Sequence, residues 1–570
     1  MTLRIANCSG FYGDRLSAAR EMVEGGPIDV LTGDWLAELT MLILAGNRLK
    51  GRPGYAPTFL RQLEDVLGTC LDKGIKIVSN AGGLDPAGCA AAVRELATRL
   101  GLSPAVAHVI GDDLTGQPLD LVNADTGEKL AATPLTANAY LGGRPIAAAL
   151  SAGADVVVTG RVTDAALVTG PGMWRYGWGP DDLDALAGSV VAGHVIECGC
   201  QATGGNYAFF QDVPDLAHCG FPIAELRADG SAVITKHPGT GGMVTVGTVT
   251  AQLVYEIAGP RYPGPDVVAR FDTITLTEDG PDRVLVSGVR GEPPPGTLKV
   301  AVNYLGGYRN TMTLVLTGLD VAAKARVAEE AIWARIPRES FDQVDVALTE
   351  AGLLRITVMD ANRDKVGRAF SAAVVETGLS SYPGFYGLTP PGDASPYGVY
   401  WPVLVPADEV RPRVFMDGNE LTFGIEPPPA PRASGSLPPP GRGERRRAAG
   451  DGGPTVRAPL GRVAGARSGD KGGNANLGVW ADTAGRYDWL AGHLTVARLK
   501  ELLPDLAAYR IDRYELPNIK ALNFVVHGLL GRGVAASPRM DPQAKALGEE
   551  LRARVTDIPA ALLPDGVDSL

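Results

Sequence analysis

Charged side chains are sparse in this chain, at 21% of 570 residues. That scarcity argues against wholesale disorder, which needs high charge and little apolar content. The net charge of −11 supplies no basic face, so a nucleic-acid binder is not expected. Cysteine is rarer still: six residues, scattered over the length, read as reduced thiols and exclude a disulfide framework. Long apolar runs are missing as well. The most apolar early stretch, residues 36–45, is too short and too interrupted to span a bilayer. Residues 1–8 open a strand with neither a basic leader nor an apolar core, so a signal peptide is not expected and a cytoplasmic location is.

What the chain does contain is glycine, 73 residues without a three-residue period, which implies many tight loops. The apolar fraction of 45% is that of a folded globular protein, and the length calls for two or three domains. Over residues 1–220 short apolar strands alternate with helices: strands at 3–6, 28–32, 76–79, 106–110 and 155–159, helices at 14–24, 34–49, 55–73, 86–100 and 144–152. This rhythm implies βαβ units around a parallel sheet. Past a sub-boundary near residue 220, strands dominate and an α+β continuation is expected, with strands at 298–304 and 312–316 among others. Residues 426–455 carry two proline triplets and the basic knot Arg445–Arg446–Arg447, and read as a semi-extended, solubilising linker. The expected organisation is therefore an α/β body over 1–425, a linker over 426–455, and a small α+β domain over 456–570.

Small polar residues cluster where the expected parallel strands end. The clusters are Asn7-Cys8-Ser9-Gly10, Thr32-Gly33-Asp34, Ser79-Asn80-Ala81-Gly82-Gly83, Gly111-Asp112-Asp113 and Thr159-Gly160-Arg161. Ligands bind at the carboxyl ends of such strands. Any one of these clusters is equally readable as a turn; five in series point to one pocket. Asn7, Ser9, Gly10, Asn80, Gly82, Gly83 and Arg161 are thus candidate ligand-binding residues, and Asp34, Asp112 and Asp164 candidate proton carriers. The first loop feeds a helix with Asp14 as its N-cap, a place that suits an anion. Its glycines do not make GxGxxG, so a nicotinamide cofactor is disfavoured and the cofactor is left open.

Further along, Lys236-His237-Pro238-Gly239-Thr240-Gly241-Gly242 follows a strand and precedes a helix expected near Met243. Lys236, Gly239, Thr240, Gly241 and Gly242 form a candidate anion cradle, and His237 a candidate general base beside the alternative of a hydrogen-bonded structural histidine. His194, Glu197, Cys198 and Cys200 invite a metal reading, with His194 and Glu197 on one helical face. The Cys-x-Cys spacing matches no common zinc motif, so a packed small-residue site is preferred and no metal is assigned. A Cys198 or Cys200 thiolate nucleophile is conceivable, without an assignable partner. Residues 303–310 offer a polar, aromatic loop able to close over the site. Ser468-Gly469-Asp470-Lys471-Gly472-Gly473-Asn474 offers either an N–H nest for anions, with Asp470, Lys471 and Asn474 as ligand-binding candidates, or a hairpin.

The segments Ala6–Asp14, 79–83, 158–164, 197–206, 235–242 and 303–310 together resemble the acyclic terpene utilisation (AtuA) family, and the 468–476 segment resembles the ferredoxin-fold-like domain attached to many of its members. The resemblance implies a part in the breakdown of acyclic isoprenoids or branched acids, through CoA thioesters. With the anion-friendly loops and the candidate proton carriers, the first expectation is an enzyme of lyase or hydratase type on an acyl-CoA or related carboxylate. The alternative is a non-enzymatic accessory or assembly subunit of a catabolic enzyme. An anionic small molecule is the expected ligand, and both a homo-oligomer and a catabolic enzyme partner stay open.

Overall fold

The computed structural model describes residues 2–424 and 453–564. Most of the expected linker, including Arg445–Arg447, lies outside the described residues. The first half runs β1 (Leu3–Asn7), α1 (Ala18–Glu24), β2 (Val30–Gly33), α2 (Glu38–Leu49), α3 (Pro57–Lys73), β3 (Lys76–Ser79), α4 (Pro86–Arg99), β4 (Val106–Ile110), β5 (Thr136–Ala139), α5 (Arg144–Ser151), β6 (Val156–Thr159), α6 (Ala166–Tyr176) and α7 (Leu183–Ile196), followed by β7 (Pro222–Leu226), β8 (Ala232–Lys236) and α8 (Val246–Leu253).

Strands β1, β2, β3, β6 and β4 lie side by side in that order and all run parallel, at the centre of an 11-stranded mixed sheet. Their residues are apolar on both faces, as a doubly covered parallel sheet requires. In β6, Val157 faces one core with α5, α6 and α7, while Val156 and Val158 face the other with α1, α3 and α4. The same alternation separates Val30 from Leu31 and Val78 from Ile77. β6 returns between β3 and β4 after the chain has crossed to the opposite face through α5, and a cavity lined by residues 83–87, 110–113 and Asn138 lies at the carboxyl ends of β3 and β4.

The boundary expected near residue 220 falls within this sheet, because β7 pairs antiparallel with β1. Thr297–Val315 is a single 19-residue strand, so the closing loop expected at 303–310 is strand instead. Gly306 and Gly307 absorb a register shift there, Gly307 at φ +132°, and the strand continues paired on both sides. That strand also pairs with β5, which ties the second sheet (Gln343–Leu348, Leu353–Asp360, Thr297–Val315, Ser395–Pro406) to the body.

The C-terminal unit is a four-stranded antiparallel sheet, Gly465–Lys471, Asn474–Trp480, Ala521–Val526 and Ile511–Leu516 in spatial order, with its own apolar core. Lys471 pairs with Asn474, so of the two readings of this segment, nest or hairpin, the structure shows the hairpin, closed by Gly472-Gly473. The domain sits on the body. Asn476 Oδ1 accepts from the Glu256 amide at 2.6 Å, Asn523 Nδ2 donates to the Ile257 carbonyl at 3.2 Å, and Asn518 Nδ2 donates to the Phe271 and Ile274 carbonyls at 2.8 and 2.9 Å. Trp480, Leu516, Ile519 and Ala521 pack into the body's main core.

Close backbone approach at the carboxyl edge is exacting. A Cβ on Gly82 would lie 2.5 Å from the Thr159 carbonyl oxygen and 2.8 Å from Pro86 Cα. Gly82→Ala is expected to cost about 2 kcal/mol through this overpacking, read as a lowered urea midpoint; a midpoint equal to that of the wild type would show the loop after β3 to be more yielding than this.

Candidate functional site

The carboxyl edge is knitted together by side chains from the strand-end loops. Asn7, at the end of β1, donates to the carbonyls of Ile196 and Glu197 at 2.5 and 2.7 Å and so fixes the end of α7. Asp34 follows β2; its amide donates to the Ser9 carbonyl at 2.9 Å. Asn80 follows β3, donates to Asp34 Oδ1 at 2.5 Å and accepts from the Trp35 amide at 2.8 Å. Arg161 follows β6, donates to the Leu36 carbonyl at 2.6 Å and pairs with Asp164 Oδ1 at 2.8 Å. Asp112 follows β4 and accepts from the Arg161 amide and from Asn138 Nδ2, both at 2.9 Å. The five loops thus share one rim.

At its centre three carboxylates converge. One oxygen each from Asp34, Asp164 and Glu197 lies within 4.8 Å of the others. Asp34 and Glu197 are buried and Asp164 is partly exposed. Burial and the negative charge of Asp164 push the Asp34 carboxyl well above the usual range, although Arg161 and Asn80 pull the other way. Burial with Asp164 and Asp34 as neighbours does the same for Glu197, and burial raises Asp164 against the pull of Arg161.

Cations ring the cluster. The Arg161 guanidinium stacks 4.2 Å from the centre of the Tyr140 ring. Lys299, from the long strand Thr297–Val315, lies 4.6 Å from the same ring centre and 3.3 Å from Glu38 Oε1, which also accepts from the Tyr140 hydroxyl at 2.9 Å. Burial opposes the Glu38 charge, but Lys299 and Arg161 outweigh it and hold this carboxyl down at about 2. The C-terminal hairpin contributes Lys471, whose ammonium lies 5.5 Å from the centre of the Tyr262 ring and makes no hydrogen bond or ion pair among the described residues. Burial and the charge of Lys299 lower the Lys471 pKa, while Glu256, Glu38 and Glu197 resist that shift. Asp470 of the same hairpin is pushed up to about 7 by burial and by Glu256 and Glu38.

Other candidate residues serve the backbone. Ser9 Oγ donates to the Phe11 carbonyl at 3.0 Å. The Gly10 amide donates at 2.9 Å to Asp14, which is no helix cap: α1 begins at Ala18, and the anion held by this loop is the protein's own carboxylate. Gly82 and Gly83 allow the loop after β3 to pass under Thr159 and Leu44. Asn474 Oδ1 accepts from the Gly528 amide at 2.9 Å.

The 236–242 segment does not form an open cradle. Lys236 Nζ donates to the Thr240 carbonyl at 2.8 Å and pairs with Asp282 at 3.1 Å. The Gly241 and Gly242 amides donate to the His218 and Pro214 carbonyls, Thr240 Oγ1 to the His237 carbonyl, and Gly239 forms the turn at φ +78°. His237 is buried against Gly25 and Gly26 with Nε2 on the Met22 carbonyl at 2.9 Å, apart from the carboxylates. The helix expected near Met243 starts at Val246.

The metal quartet considered from sequence divides. His194 Nδ1 faces Glu197 Oε1 at 3.5 Å, whereas Cys200 turns to the Cys219 carbonyl at 3.3 Å. Burial, then Glu197 and Glu256, hold the Cys198 thiol well above its ordinary value, which disfavours a thiolate there.

Glu38, Tyr140, Lys299 and Tyr262 escaped the reading of the sequence. Lys299 alone left a trace, as a charge inside the apolar run Leu298-Lys299-Val300-Ala301-Val302. Among the described residues no helix is long and apolar enough to cross a membrane. A family model described as acyclic terpene utilisation family protein AtuA matches residues 3–416, and one described as AtuA ferredoxin-like domain matches residues 458–556. No curated protein and no solved structure matches.

Asp112 generates a pH prediction. Burial pushes its carboxyl up to about 6 in spite of its two N–H donors. A raised carboxyl binds its proton more tightly in the folded chain, so its contribution is present below about pH 4 and is lost as pH rises through 6. The loss amounts to about 3 kcal/mol. Asp112→Asn should flatten the fall in urea-unfolding stability between about pH 4 and pH 6.5 by that order; an unchanged slope would mean that Asp112 ionises normally.

Proposed function

The chain belongs to the acyclic terpene utilisation AtuA family, and from that premise we propose that it is an enzyme acting on an anionic acyl substrate of that catabolism, an acyl-CoA or related carboxylate, by adding or removing water. The observation that carries the reading is the clustering of the Asp34, Asp164 and Glu197 carboxyls beside Lys471, whose charge acts on Glu197 and whose ammonium makes no ion pair among the described residues. Buried carboxyls can exchange a proton with carbon or with water, and the half-buried Lys471 can hold the carbonyl or carboxylate oxygen at which charge develops.

In hydration, water's hydroxyl goes to Cβ of an unsaturated acyl group and a proton goes to Cα; dehydration reverses both transfers. Asp164, with its side chain 29% exposed, is the carboxylate best placed to exchange that proton with a substrate entering from solvent. Arg161 and Asn80 orient the pair Asp164 and Asp34, and the C-terminal hairpin closes the site above them by delivering Lys471. The accessory-subunit reading is weaker, because the C-terminal sheet spends Asn476, Asn523 and Trp480 on this chain's own body.

The reading is tested with the full chain and a panel of straight and branched acyl-CoA thioesters. A binding thioester at a hundredfold excess over its Kd should stabilise the chain by about 2.7 kcal/mol, seen as a raised Tm. Lys471→Met should weaken that binding about tenfold, the value of one charge-assisted hydrogen bond. If no thioester or free branched acid shifts the Tm, the proposal fails.

A further inference from the structure

We infer that Asp34, Asp164 and Glu197 form a binding site for one hard divalent cation, of the Mg2+ or Mn2+ class. The three side chains arrive from separate elements: the end of β2, the loop after β6 and the C-terminus of α7. Their hydrogen bonding is incomplete. Asp34 uses Oδ1 for Asn80 Nδ2 and the Leu36 amide, and Asp164 uses Oδ1 for Arg161. Beyond these donors Asp34 and Asp164 meet only each other, in a carboxyl–carboxylate hydrogen bond that a cation can replace, and Glu197 Oε2 finds no partner among the described residues although its side chain is only 7% exposed. Mg2+ holds oxygen ligands at about 2.0–2.1 Å, so two ligands of one ion lie at most about 4.2 Å apart. The three oxygens lie within 4.8 Å of one another, so they need draw in by only about half an ångström to share one ion.

A second observation comes from outside the acidic group. His194 is 1% exposed, and its Nε2 lies 3.1 Å from the Gln252 carbonyl, which can only accept. The proton is therefore on Nε2, and Nδ1 turns a bare lone pair towards Glu197 Oε1 at 3.5 Å. Nδ1 has no hydrogen-bond partner. Two acceptors facing each other in a dry interior repel unless a shared proton or a cation sits between them. The three carboxyls ionise together only when positive charge beyond that of Arg161 and Lys471 reaches them, which a divalent ion supplies. An all-oxygen set selects Mg2+ or Mn2+ over softer metals, and the imidazole nitrogen lies beside it without displacing an oxygen.

This inference goes beyond the proposed reaction and does not rest on it. The test uses the full chain, stripped with a chelator, dialysed and checked for an unchanged circular dichroism spectrum. Mn2+ is then titrated by calorimetry, with free Mn2+ followed by electron paramagnetic resonance. One Mn2+ per chain is expected, displaced by excess Mg2+. Glu197→Gln and Asp34→Asn should each weaken binding at least tenfold, while Asp282→Asn, which pairs with Lys236 away from the cluster, should bind as the wild type does. Should Glu197→Gln fail to fold, Asp164→Asn at the more exposed position carries the same expectation. A folded wild type that takes up no Mn2+, or variants that bind it unchanged, overturns the site. Acyl-CoA binding measured in chelator separates the two ideas: thioester binding without Mn2+ uptake sinks only the cation, and Mn2+ uptake with no thioester binding sinks only the reaction.

Discussion

Three carboxylates cannot be gathered in a protein interior without positive charge to answer them. Asp34, Asp164 and Glu197 share a space whose oxygens lie within 4.8 Å of one another, and much of the surrounding architecture is an answer to that demand. Arg161 is pinned from three sides, by the Leu36 carbonyl, by Asp112 on its amide and by the Tyr140 ring under its guanidinium, so its charge stays against Asp164. Lys299 reaches the same rim from a strand almost 140 residues further along the chain. Asp112, often the kind of residue suspected of chemistry, has a humbler part here: it anchors the backbone of the residue that carries the cation.

The same constraint explains why the rim was partly legible. Parallel strands with apolar residues on both faces must be joined by crossovers, so their carboxyl ends fall on one edge whatever their order. Asn7, Asp34, Asn80, Asp112 and Arg161 each follow a recognisable strand directly, and local pattern was enough to place them together. Nothing local placed Glu38, Tyr140 or Lys299. Their meeting depends on the pairing of β5 with the long strand Thr297–Val315, a contact between segments about 160 residues apart. The misreadings have the same origin. Lys236 and His237 look like a cradle and a base only until Asp282 and the Met22 carbonyl, both remote in sequence, take up their donors. Residues 303–310 look like a loop because Gly306 and Gly307 usually end a strand; here a bulge lets pairing continue on both sides.

Glycine-rich hairpin sequence conceals a further distinction. A nest would present backbone amides to an anion, and a hairpin spends those amides on its partner strand. Gly465–Lys471 and Asn474–Trp480 form the second, which changes what the C-terminal domain can offer. Its contribution comes from side chains at the tip, Asp470 and Lys471, carried on a rigid pair of strands and aimed by the contacts of Asn476 and Asn523 with residues 256 and 257 of the body.

That arrangement gives the two domains unequal and complementary parts. The body gathers three acids, and the hairpin supplies a lysine that finds no ion pair among the described residues. A half-buried lysine without an ion pair gives up hydration for little return, so its position stabilises the fold poorly. It becomes favourable when something anionic lies between it and the cluster, and a cation on the cluster would make that same space welcome an oxygen-rich ligand. The domain interface and the candidate site thus adjoin: the contacts that seat the C-terminal sheet are the contacts that bring Lys471 within the electrostatic reach of Glu197.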